Sequence, residues 1–379
     1  MNDFQGSIAQ QYVRFTTIFA LQTNPGAQFG KGMIYVDQAT LSGVWSGSYL
    51  APGKDFEVTP QNFSALVTGG LLNKLTGYFA ANSIASIIVS CWDATAPSGI
   101  QTAYAATKYD AFWKTMYLDG IGLEATRNSY AVKLAVAAFP DVGIFSQVGF
   151  GVKDADVLNA ASTTSLPYLI TQSAGDALVV YQDPTASTTD PWLDQLGITL
   201  GALNGTATAV GNATDYIATL TRNASGPAGV NLDPISQAAL VQQNVGWWLT
   251  LGDGTGQVAL RNLKTIKGDV AGAKWVTAYI DYVASIQATE FLTSPATPQG
   301  KRRNNSNYQA ILSTLAGIAG PFTDKGGIGD LSGFTTAVAP PFSQVGGTGT
   351  SLIVPHAWQA SYVQGIHDVL VQGTLFIPV

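Results

Sequence analysis

One cysteine, Cys91, stands in the whole 379-residue chain, so no disulfide can form within it, and the usage suits a reducing compartment. Charge is scarce too: Asp, Glu, Lys and Arg make up 11% of the chain and sum to −6, against roughly 25% charged in ordinary soluble domains. An acidic balance with no basic stripe excludes a nucleic-acid footprint. The one basic run, Lys301-Arg302-Arg303, reads as a solvated loop. No stretch approaches the 18 apolar residues of a membrane span, which argues against membrane insertion. The first residues carry neither a basic nor an apolar leader pattern, so synthesis in the cytoplasm is expected, and Asn-x-Ser/Thr matches at Asn204 and Asn212 are accidents of composition.

Histidine occurs twice, at His356 and His367, and no G-x-S-x-G elbow accompanies either one. No Cys/His cluster could hold zinc and no dense acidic loop could hold calcium. Gly252-Asp253-Gly254-Thr255-Gly256 lacks the Gly-Lys-Ser/Thr of a phosphate loop and the third glycine of a dinucleotide fingerprint, so it reads as a turn. Asp154 and Asp156 form a close acid pair, but in a polar loop with nothing apolar to raise a carboxyl pKa. Trp247-Trp248 has the composition of a sugar platform and is better explained as core. Neither a catalytic residue, a metal nor a cofactor is expected.

Apolar residues, by contrast, make up 46% of the chain, with 41 glycines, 8 Trp, 15 Tyr and 16 Phe. A chain so poor in charge and rich in aromatics spends much of its surface on subunit contacts. Short strands are expected at 33–36 and 56–58, and a helix over 71–79 from Leu71, Leu72, Leu75, Tyr78 and Phe79. Residues 84–92 have the largely apolar character of a strand buried on both faces. Tyr104, Tyr109, Phe112, Trp113 and Met116 predict a helix over about 103–118, whereas Val132, Leu134, Val136 and Ala138 alternate as a strand over 130–139. Further strands are expected at 177–182, 215–220 and 247–251. Asp190-Pro191 and Asp233-Pro234 each place a cap before a proline at the first helical position, which predicts helices from 191 and 234. Two more amphipathic helices cover 275–291 and 308–318. Alternating helices and buried strands give a mixed α/β fold, a mixed sheet covered by helices.

Both ends carry adhesive extended segments. Near the start, Tyr12, Val13, Phe15, Ile18, Phe19 and Leu21 precede the turn Asn24-Pro25-Gly26. At the end, residues 362–379 place Val369, Val371, Leu375 and Ile377 on one mainly apolar face and Ile366 and Phe376 on the other, mixed face, in a β-rich run that must pair with something. The organisation read from this is a terminal arm over 1–25, a core over 26–230 with room for a small outer subdomain at about 140–230, a C-terminal core over 231–350 and a strand or arm over 351–379.

The order of elements over 233–379 resembles the contractile-tail sheath proteins of tailed bacteriophages. It runs from a proline-initiated helix with QAALVQQN, through Gly246-Trp247-Trp248-Leu249 and Lys264-Thr265-Ile266-Lys267-Gly268, to the helix WVTAYIDYVASIQATEFL. The helix YQAILSTLAGIAG and a last strand ending Gly373-Thr374-Leu375-Phe376-Ile377 follow. The helix ending in Tyr78-Phe79 and the strand to Trp92 resemble the start of a compact sheath core. The resemblance implies a homo-oligomer of stacked hexameric rings around a tail tube, with baseplate and tail terminator proteins at its ends, located in the virion tail. It implies that the terminal segments are arms which add strands to a neighbour's sheet, with Pro25, Gly26, Gly346, Gly347 and Gly349 as hinges. It further implies a contraction that needs no cofactor, drives the tube through the host envelope and permits genome ejection. Two other readings stay open: another tail or baseplate protein such as a tube or connector subunit, and a carbohydrate-binding or carbohydrate-active surface protein.

Overall fold

A computed structural model describes residues 31–81, 86–119, 123–141, 146–183, 190–203, 219–221, 232–250, 257–269, 304–316, 331–336 and 358–362, with single residues at 291, 341 and 343. The first described element is strand β1 (Gly32–Asp37), followed by helix α1 (Gln38–Val44) and strand β2 (Asp55–Val58). Helices α2 (Phe63–Leu66) and α3 (Gly69–Ala81) lead to β3 (Ile87–Trp92), α4 (Gly99–Thr107) and β4 (Trp113–Met116). Then come α5 (Glu124–Ala138), β5 (Gln147–Val152), α6 (Leu166–Gln172), β6 (Leu178–Tyr181) and α7 (Pro191–Leu203). Strand β7 (Thr219–Thr221), α8 (Pro234–Gln242), β8 (Gly246–Thr250), β9 (Gln257–Arg261), α9 (Asn305–Ala316), β10 (Leu331–Thr336) and β11 (Trp358–Tyr362) complete the described elements.

Nine strands form one sheet in the order β2-β3-β1-β4-β5-β6-β8-β9-β7. The six in the middle, β3 to β8 in that order, pair in parallel. Antiparallel β2 closes one edge, and antiparallel β9 and β7 close the other. Every residue of β1, β3, β4 and β6 is buried, as expected of parallel strands covered on both faces. The period of two then divides each strand between two cores. Ile34, Val36, Val89, Cys91, Val180 and Trp248 face one core, against Leu71, Leu75 and Tyr78 of α3, Leu193 and Leu196 of α7 and Ile311 of α9. Met33, Tyr35, Trp92, Val179 and Trp247 face the other, against Ala103 and Tyr104 of α4, Leu134 and Ala138 of α5, Ile170 of α6 and Leu240 of α8. The architecture is therefore a mixed α/β fold of three layers, helices on a mostly parallel sheet on helices.

The cap-proline pairs act as the sequence suggests. Asp190 accepts the backbone N–H groups of Trp192 and Leu193 at 3.0 Å each. Asp233 accepts those of Ile235 and Ser236 at 2.8 and 3.0 Å. Trp247 and Trp248 are core residues, and the Trp248 indole donates to the Pro191 carbonyl at 3.1 Å.

Two predicted elements are different. The helix expected over 103–118 ends at Thr107, and 113–116 is β4, hydrogen-bonded between β1 and β5. A short run of bulky apolar residues satisfies either period, and a central position in the sheet decides it. The strand expected over 130–139 is the second half of α5: Asn128, Ala131, Leu134, Ala135 and Ala138 are buried at helical spacing, while Val136 is 40% exposed. Its alternating Val and Ala positions are a by-product of an alanine-rich helix, and tertiary contacts override the β preference of Val132 and Val136. Strands β5 and β6 and helix α7, within the stretch read as a small outer subdomain, belong to the same sheet and cores as the rest. The helix expected over 275–291 lies outside the described residues except for Phe291.

Candidate assembly site

For a chain expected to join others by strand pairing, the relevant geometry is where backbone hydrogen-bonding groups are left without a partner strand. Among the described residues there are two such places. The first is the pair of edges of the large sheet. Edge strand β2 is four residues long, and three of them, Asp55, Phe56 and Glu57, are exposed. Glu57 is tied to Lys31 at 3.0 Å and accepts the Ser86 hydroxyl, and these contacts hold its carboxyl below the ordinary range. A short, charged edge is a poor template for another chain. Edge strand β7 is only three residues long.

The second place is a separate two-stranded sheet. Strands β10 and β11 pair antiparallel, Leu331 opposite Tyr362 and Thr336 opposite Trp358, with a register shift between Ser332 and Thr335. Each strand has one partner among the described residues. An isolated two-stranded ribbon is marginally stable in water and gains most from a third strand. Strand β11 ends at Tyr362, the residue where the predicted C-terminal strand begins. The arm residues named above, from Tyr12 to Leu21 and from Ile366 to Ile377, lie outside the described residues, as do the hinges Pro25, Gly26, Gly346, Gly347 and Gly349.

A polar crevice lies at the carboxyl ends of β4 and β5, where open α/β sheets commonly bind ligands. Leu118 and Asp119 follow β4, Lys153 and Asp154 follow β5, and Lys74, Arg127 and Asp190 reach in from α3, α5 and the start of α7. Lys74, Arg127, Asp119, Asp154 and Asp190 pair with one another in it. Lys74, buried, has its ammonium 3.0 Å from Asp190 and 3.2 Å from Asp119, with the Tyr117 ring 5.4 Å away. Burial alone would lower the Lys74 pKa, but the two carboxylates outweigh it and the pKa is raised. Arg127 holds Asp154 at 2.7 Å. Asp156 accepts the hydroxyls of Ser162 and Thr164 at 3.4 and 3.2 Å, so the Asp154/Asp156 pair is bound into its surroundings. A Cβ at Gly151 would overlap the Asp190 carboxylate, so backbone and cap are in direct contact here. This arrangement ties three helices to the sheet.

An open groove of about 600 Å3 flanks the end of β1, lined by Asp37, Leu41, Trp45, Tyr49, Leu50 and Asp93. Trp45 meets Phe56 edge-on at 5.4 Å, and Tyr49 is 78% exposed. Among the described residues no three His, Cys, Asp or Glu side chains converge as a metal site would need, and no helix is long and apolar enough to cross a membrane.

Sequence reasoning identified Asp190 only as a helix cap and missed Lys74 altogether. The available signal was a lysine within the apolar stripe Leu71, Leu75, Tyr78, a position that needs a buried counter-charge. Lys114, within the apolar run 111–118, carries the same signal.

No protein-family model matches the chain, and no curated protein matches it in sequence. Among solved structures, the chain is similar to the sheath complex of an extracellular contractile injection system, PVC, determined by cryo-EM in its contracted state. The TM-score is 0.56 at 11% sequence identity, over 99% of this chain and 98% of that one. The likeness is one of fold, and it runs the length of both chains: this chain has a contractile-sheath-like fold.

Proposed function

We propose that this chain is the structural subunit of a contractile sheath. Copies of it pack helically around an inner tube, are linked to their neighbours by strand addition, and pass from an extended to a contracted arrangement that drives the tube forward. The observation that carries this reading is the end-to-end correspondence with a sheath subunit, with no large domain left over on either side. The ribbon of β10 and β11 supports it from this chain's own geometry. Arms from neighbouring copies, patterned as strands over 12–21 and 366–377, would extend that ribbon. A twelve-residue strand spans roughly 40 Å, the reach of a link between adjacent subunits.

In its finer form the proposal is a phage tail sheath of stacked hexameric rings. Tail tube, baseplate and terminator proteins are its partners, and the virion tail is its location. Contraction uses the free-energy difference between two packings and needs no enzyme activity or cofactor. The sheath named above belongs to an extracellular injection system, and the same subunit mechanics serve either assembly.

Negative-stain microscopy of the purified protein tests the reading: tubes of stacked rings are expected, and monodisperse monomers under assembly conditions would overturn it. Removing residues 366–379 should abolish tubes while leaving circular dichroism and the unfolding midpoint of the core unchanged. Normal tubes from the shortened chain would eliminate the arm.

A further inference from the structure

Two lysines of the described residues are fully enclosed, and they are held in opposite ways. Lys74 has two carboxylates at ion-pair distance. Lys114, in the middle of the sheet on β4 and 0% exposed, has none among the described residues. Its Nζ donates to the carbonyl oxygens of Lys108, at 2.9 Å, and of Ala111, and lies 5.8 Å from the centre of the Tyr104 ring. Lys108 caps the C-terminal end of α4, so the amine closes the corner between that helix and β4 by binding its free carbonyls.

We propose that Lys114 is a proton-binding switch in the α4–β4 corner: a proton taken up on its amine favours opening of the corner, and its release favours closure. The charged form suffers from burial without a counter-ion, whereas the neutral amine keeps N–H groups for the same two carbonyls.

Among the described residues the charged groups around it act on the amine from a distance and none pairs with it directly. From α4 come Tyr104 and Lys108, and Lys108 is already 3.5 Å from Asp141 in the turn after α5. Asp141 also accepts the Tyr104 hydroxyl at 2.8 Å, and Tyr104 is 2.9 Å from Ser146 ahead of β5. From β1, the Tyr35 hydroxyl is bound to Thr107 at 3.0 Å, and Lys31 pairs with Glu57 of β2. In the corner itself, the Asp110 carboxyl is pushed up by burial and by the neighbouring, hydrogen-bonded Asp55 of β2. The corner therefore also ties the edge strand to the sheet's centre. Burial lowers the Lys114 amine from 10.5 to about 7, against the opposing pull of Asp110 and Asp141.

Opening returns the amine to its ordinary value, so between pH 7 and 10.5 the open form holds one more proton than the closed form. The opening constant then falls about tenfold for each unit of rising pH, the same factor by which base-catalysed amide exchange accelerates. Two measurements that leave Lys114 itself unaltered test this. In protein labelled with carbon-13 at lysine Cε, one resonance should titrate near neutral pH and persist in Lys153→Gln, which removes the other lysine whose pKa burial lowers. If every remaining lysine titrates above about pH 9.5, the switch does not exist. In hydrogen exchange, the corner amides of Asp110 and Gln147, which donate to Thr107 and Phe112, should exchange at nearly constant rate from pH 7.5 to 9.5. Acceleration of about tenfold per pH unit at these two amides, as expected of amides elsewhere, would overturn the proposal.

Discussion

Replacing Lys74 by methionine removes the charge that neutralises Asp190 while keeping a side chain of similar length. The Asp190 carboxylate is 6% exposed, so it cannot regain water without opening the start of α7. Stranding one partner of a buried pair costs about 3–5 kcal/mol. The two N–H groups that Asp190 accepts at the helix start retain part of its stabilisation, which points to the lower half of that range. Asp119, with 45% of its side chain exposed, rehydrates and adds little. Asp190→Asn preserves the cap, because asparagine caps as well as aspartate, and leaves Lys74 with its exposed partner alone. Its expected cost is about 1–3 kcal/mol. In the double variant neither charge remains to be stranded, so its cost should fall below the sum of the single costs by about 2 kcal/mol. Guanidinium unfolding followed by both tryptophan fluorescence and far-UV circular dichroism measures this, coincident curves establishing that one transition is observed. Strict additivity, or a loss below about 1 kcal/mol for Lys74→Met, would refute the account of the crevice as a charge-matched tie between helices and sheet.

Two further outcomes follow from the cores. At Gly197 of α7 a Cβ would overlap the backbone carbonyl of Tyr78 in α3, so Gly197→Ala should force the two helices apart and cost about 1–3 kcal/mol, read as a lower unfolding midpoint. Cys91 is 0% exposed and burial pushes its thiol up to about 11, so it should resist a thiol reagent at pH 8 in the native protein and react on unfolding. Rapid labelling under native conditions would show that β3 is not enclosed as described.

Much of the core was visible in the sequence because it rests on local rules. The runs that became β1, β3 and β6 are largely apolar, as strands covered on both faces are, and the Asp-Pro pairs at 190 and 233 mark helix starts by their own hydrogen-bonding chemistry. What locality could not supply was the state of segments that fit two periods. Residues 113–116 became a strand because β1 and β5 pair with them on both sides, and 130–138 became a helix because every third or fourth residue meets the sheet. Nor does spacing along the chain reveal that Lys74 and Asp190, 116 residues apart, share one charge-matched site, or that Lys114 has no carboxylate at ion-pair distance among the described residues. Sheet order and the pairing of buried charge are properties of distance in three dimensions, so only the tertiary structure decided them, whereas burial pattern and helix starts are short-range and were written in the sequence.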